Sequence, residues 1–143
     1  MAEAGRGSRQ PGARSAVRSA SWPRSEPPCF PRLQAHERLA IVDPLSGNQP
    51  LFSHDNTRSL TVNGEIYNHL ILKAGMLKGA YFSTGSDCEV IIPLYEKLGS
   101  SPEAAAQICG HLDGVFAFVL YDAEKDIWMA GRDPIGVNPL YMG

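Results

Sequence analysis

The chain has 143 residues, 43% of them hydrophobic and 20% charged, with a formal net charge of -2. That balance fits an ordinary soluble single-domain protein and gives no reason to expect nucleic acid or anionic lipid as a partner. The longest uninterrupted apolar run, Val115 to Tyr121, is far shorter than the ~20 residues that cross a bilayer and reads as a buried strand.

Composition changes abruptly near residue 34. Residues 1–34 are rich in Arg, Ser, Ala, Pro and Gly, with Glu3 and Glu26 the only acids. Such a segment cannot bury enough apolar surface to offset its ordering entropy, so it is expected to be disordered. Being Arg- and Ser-rich, it also fits an organelle transit peptide, or an extension with no address. Its prolines and glycines argue against the amphipathic helix of a transit peptide. Residues 35–143 suffice for one small domain.

Within that domain LAIV (Leu39 to Val42) and SLTV (Ser59 to Val62) read as strands, and Asn63-Gly64 predicts a type I′ turn leading into a strand from Glu65 to Tyr67. Ser86-Asp87-Cys88-Glu89 has the form of a capping box. It precedes an apolar face of Val90, Ile91, Leu94, Tyr95 and Leu98, which Gly99 closes and Pro93 should kink. A second helix is expected from Ser101-Pro102, weakened by Gly110. Val115–Asp122 and Ile127–Arg132, joined by AEKD, predict a hairpin.

Cys29, Cys88 and Cys109 are odd in number and include no CxxC pair, which suggests neither a disulfide framework nor zinc and fits a reducing, cytoplasmic compartment. His36, His54, His69 and His111 form no i, i+4 pair, so no metal site is expected.

Four segments set polar residues at strand ends: HERLAIVD, VNGEIYNH, TGSDCEV and GRDPIGVNPLY. Singly, each has a structural explanation. Arg38 reads as a surface cation, Asn63-Gly64 as a turn and Glu65 as a cross-strand partner. Asp87 suits the positive end of a helix, Asp113-Gly114 another turn, and Arg132-Asp133 an ion pair. Together they suggest an arginine for a carboxylate, two acids for an ammonium group and a pair of N–H donors for a carbonyl. A free α-amino acid with a side-chain carbonyl, such as glutamine, fits that set.

RLAIVDPLSGNQPL, VNGEIYNH, TGSDCEVI, LDGVFAFVLYD and GRDPIGVNPLYMG, in this order, resemble the glutaminase domain of glutamine-hydrolysing asparagine synthetases, a class II amidotransferase. The resemblance implies an α+β fold, the N-terminal-nucleophile αββα sandwich of antiparallel sheets. It implies that Arg38 grips glutamine's carboxylate while the backbone of Leu39, Ala40, Ile41 and Val42 lines the pocket. Asn63 and Gly64 would form the oxyanion hole, and Glu65 and Asp87 would receive the α-ammonium. The reaction implied is ATP-dependent amidation of aspartate with glutamine as ammonia donor, and a homodimer is compatible with it.

The family's nucleophile is an N-terminal cysteine, whereas here Ala2 follows Met1. Cys29 would become N-terminal only by cleavage after Pro28, and Cys88 and Cys109 read as small buried hydrophobes. The family's RHRGPD loop, its first strand and helix, and the synthetase domain that holds ATP and magnesium do not appear in these residues. The expectation is a domain incomplete at both ends, with exposed sheet edges, marginal stability and no hydrolytic activity. The rival expectation is a non-catalytic module of the same fold that binds glutamine or a partner.

Overall fold

The computed structural model describes residues 17–20 and 48–141. Arg38, the expected strand Leu39–Val42 and Cys29 lie outside the described residues. Among the described residues no helix is long and apolar enough to cross a membrane.

The strands β1 (Val17–Ala20), β2 (Leu51–Phe52), β3 (Arg58–Ile66), β4 (Gly114–Asp122) and β5 (Ile127–Arg132) form one antiparallel sheet in the order β1-β5-β4-β3-β2. Alternation sets its inner face. Leu60, Val62 and Ile66 of β3 are buried, with Phe116, Phe118 and Leu120 of β4 and Met129 of β5. Pairings such as Leu60 with Leu120 and Val62 with Phe118 place them in rows. Onto this face pack α2 (Ile91–Leu98) and α3 (Pro102–His111), through Ile91, Leu94, Tyr95, Ala105, Ile108 and Cys109. Each fully buried Phe or Leu here contributes about 1.5–3 kcal/mol. The outer face carries half-exposed Thr61, Val119, Ala130, Tyr121 and Trp128, the last two stacked at 4.5 Å. The fold is α+β, an antiparallel sheet with helices.

The predicted β4–β5 hairpin is present, and Asp122 Oδ1 accepts the N–H groups of Glu124 and Lys125 in its turn. Gly99 ends α2 at φ 94° and donates its N–H to Tyr95 O. Ser101 caps α3, its Oγ accepting from the Ala104 N–H, with Pro102 at the first position.

Several expectations are corrected. Asn63-Gly64 is not a hairpin turn: β3 runs through it as one strand, with Asn63 paired to Ala117 and Gly64 to Phe116. Nine residues of ladder with a strand some fifty residues downstream override a two-residue local signal. The capping box does not form, because Ser86 makes no side-chain cap. Glu89, buried, accepts instead from the backbone N–H and hydroxyl groups of Ser83 and Thr84. Pro93 stands near the start of α2 rather than in its middle. A short 3₁₀ turn, Asp87–Val90, precedes the α-helix, so Pro93 falls in the first helical turn, where its missing N–H would have no helical partner anyway.

A short helix, α1 (His69–Ala74), was not expected; exposed Leu70 and Ile71 hide its pattern. Within the segment expected to be disordered, Val17–Ala20 pairs with β5 in the register Val17 to Gly131 through Ala20 to Trp128. The outer row of N–H and C=O groups on β5 accepts a strand there.

Candidate functional site

The site is built on the last residues of β3. Gly64 sits at φ 137°, and a Cβ added there would lie 1.9 Å from Val115 O. Across the pair, a Cβ on Gly114 would lie 2.1 Å from Glu65 O. Glycine at both positions lets β3 and β4 approach closely, and at Gly64 it also permits a backbone angle that L side chains rarely adopt.

The polar backbone of this stretch is claimed by side chains from distant segments. Gln49 Nε2 donates to Val62 O at 2.6 Å while Val62 N donates to Gln49 Oε1 at 2.7 Å, so one amide side chain imitates a neighbouring strand residue. Cys88 Sγ lies 3.5 Å from Gly64 O, within reach to donate. Ile66 N donates to Asp87 Oδ2 at 2.6 Å. Asn138 Nδ2 donates to Asn63 O at 3.0 Å.

The sequence-derived candidates divide accordingly. Asn63 is exposed and Glu65 half-exposed, both at odd positions that alternate with the buried Val62 and Ile66. Asp87 is buried against Ile66, the residue that follows Glu65. Asn63, Gly64, Glu65 and Asp87 therefore meet at one corner of the sheet.

The two described thiols are unsuited to nucleophilic work. Burial pushes the Cys88 thiol well above its usual range, and the negative charges of Asp87 and Glu65 add to the effect. Burial also pushes Cys109 up to about 12, against a smaller opposing hydrogen bond with the Arg132 backbone. A thiol, unlike a thiolate, is a weak nucleophile.

Asp133, expected in an ion pair with Arg132, does something else. Its Oδ1 accepts from the N–H groups of Ile135, Gly136 and Val137, and its Oδ2 from Phe116 N. Burial opposes its charge, but the backbone donors Val137, Gly136, Phe116 and Ile135 outweigh it and hold the carboxyl below its usual range. The Asp-Pro-x-Gly pattern at 133–136 carried this turn signal. Gln49 and Asn138 carried none, since their partners lie 13 and 75 residues away.

Residues 31–143 match the family model of the glutamine amidotransferase domain. Over 109 residues, 76% of this chain, the sequence is 55% identical to the glutamine-hydrolyzing asparagine synthetase 2 of Arabidopsis thaliana, covering 18% of that protein. The same share of the chain is 55% identical to a glutamine-hydrolyzing asparagine synthetase of Zea mays, covering 17% of it. For asparagine synthetase B of Escherichia coli (strain K12) the identity is 53%, with 19% covered. The chain thus spans less than a fifth of the length of these relatives. With more than half of its residues matched in one continuous stretch, the chain belongs to the glutamine amidotransferase domain family.

Proposed function

We propose that residues 35–143 form a glutamine-recognition site, and that a chain of these 143 residues binds glutamine without hydrolysing it. Arg38 grips the carboxylate, Leu39, Ala40, Ile41 and Val42 line the pocket with backbone, and Glu65 and Asp87 receive the ammonium group. The amide carbonyl takes donors from the Asn63 side chain and the Gly64 N–H. The observation that carries this reading is the corner where Asn63, Gly64 and Glu65 on β3 meet buried Asp87, with Ile66 N donating to Asp87. Asp87 Oδ2 accepts from Ile66 N and lies 3.6 Å from Cys88 Sγ, and a carboxylate has further lone pairs with which to meet the ammonium group.

Ammonia release needs a nucleophile, and buried Cys88 and Cys109 do not supply one. In a longer protein the released ammonia would feed ATP-dependent amidation of aspartate. ATP and magnesium would then be held by the part of the relatives that this chain does not span. The reading places the protein in the cytoplasm, where the thiols stay reduced.

Calorimetric titration with L-glutamine, beside an assay of glutamate release, tests both halves. Saturable heat with no glutamate formed is expected. Absent binding would sink the recognition reading, and glutamate release that stops in a Cys29→Ser variant would sink the non-hydrolytic one.

A further inference from the structure

We infer that Asn138 is a positioning residue: it fixes the peptide between Asn63 and Gly64 and thereby aims the Gly64 N–H. The purpose of this device rests on the glutamine reading above, but its geometry does not. A trans peptide is planar, so its C=O and N–H point in opposite directions. Beside its ladder partner Ala117, Asn63 O takes a side-chain donor, Asn138 Nδ2 at 3.0 Å, and holding that oxygen fixes where the Gly64 N–H points.

The contact falls where β3 carries its glycine. At φ 137° Gly64 occupies backbone space that other residues rarely adopt. The peptide before it lies in the β3–β4 ladder, where Asn63 pairs with Ala117, and Asn138 adds a second hold on its oxygen from outside the sheet. Neighbouring peptides are also gripped by side chains from outside the sheet, Val62 at both N and O by Gln49 and Ile66 at N by Asp87.

Asn138 is itself held in place by the turn before it. Asp133 Oδ1 gathers the N–H groups of residues 135, 136 and 137, and Asp133 Oδ2 accepts from Phe116 N at 3.2 Å. Phe116 is the ladder partner of Gly64. The path from Gly64 across the ladder to Phe116, through Asp133 and its turn to Asn138 and back to Asn63, is therefore closed. A surface hydrogen bond at half-exposed Asn138 adds little to global stability, so its effect belongs in orientation.

The test uses the full ¹⁵N-labelled chain without ligand, as wild type, Asn138→Ala and the isosteric Asn138→Asp, which replaces the donor with an acceptor. The residual dipolar coupling of the Gly64 N–H should shrink or change sign in both variants, more in the aspartate. Couplings across the β4–β5 hairpin should stay as in wild type. Glutamine affinity should fall about fivefold, the weight of one ordinary hydrogen bond. An unchanged Gly64 coupling in both variants overturns the inference, and so does a change spread evenly over the hairpin, which would mark a merely structural contact. If wild type binds no glutamine, the recognition reading fails while the Gly64 coupling still decides the clamp.

Discussion

The two ends of β3 are held in different ways. At its start, Arg58 lies 3.0 Å from Asp55 and 2.6 Å from Glu124, both exposed, and 3.7 Å from buried Asp122. Asp122 accepts from the Tyr95 hydroxyl at 2.6 Å. Burial opposes its charge, yet Tyr95, the Lys125 N–H, Arg58 and Lys125 together hold its carboxyl below the usual range. At its far end, from Val62 to Ile66, the strand is held by Gln49, Asp87, Cys88 and Asn138, each bonding to backbone. Charged pairs tolerate displacement and are screened by salt, whereas bonds to individual N–H and C=O groups fix peptide orientation. Ser53 also bonds the Arg58 backbone, its Oγ accepting from Arg58 N at 3.0 Å and its N–H donating to Arg58 O at 3.1 Å, so the start of β3 is an anchor in which ion pairs add to one backbone grip, and its end a positioned surface.

Substitutions should separate the two ends, beginning with the most damaging. Gly64→Ala forces a Cβ into Val115 O and should cost about 3–5 kcal/mol by urea unfolding; a loss under about 1 kcal/mol would mean that β3 and β4 separate easily here.

Asp133→Ala strands the buried Phe116 N–H and loosens the turn that carries Asn138, for about 2–3 kcal/mol. Because the folded carboxyl lies below its unfolded value of about 3.9, its contribution is present above that pH and fades as pH falls through the folded value. Wild type should therefore lose stability on acidification below about pH 4, with a shallower slope in Asp133→Asn. Equal slopes would mean that the Asp133 carboxylate does not hold the turn.

Gln49→Leu removes two hydrogen bonds at Val62 and should cost about 1–2 kcal/mol while weakening glutamine binding, which calorimetry of the variant would show. Unaltered affinity would detach the β3 edge from the site. Glu124→Gln, at the other end, should cost under about 1 kcal/mol and nothing in roughly 1 M salt. Glutamine affinity should not change, and if it did the two ends would not be independent.

Much of this was legible in the sequence because it depends on neighbours. AEKD between two apolar runs gave the hairpin, Ser101-Pro102 the start of α3, and Gly99 the end of α2. The order of five motif segments pointed to the family that the comparisons show. What was not legible depends on distance. Asn-Gly reads alike in a turn and in a strand that needs a glycine for close approach, and the deciding partner was Phe116. Glu89 looked like a capping acid, but bonds to Ser83 and Thr84 won. Gln49 and Asn138 act on backbone groups that only the folded chain brings within reach.

The most direct test of the recognition site is a titration of the ¹⁵N-labelled full chain with L-glutamine, followed residue by residue. Saturable shifts centred on the amides of Asn63, Gly64, Glu65 and Asp87 are expected. No saturable shift, or shifts centred instead on the groove beside His54 and Tyr81, would contradict the recognition reading.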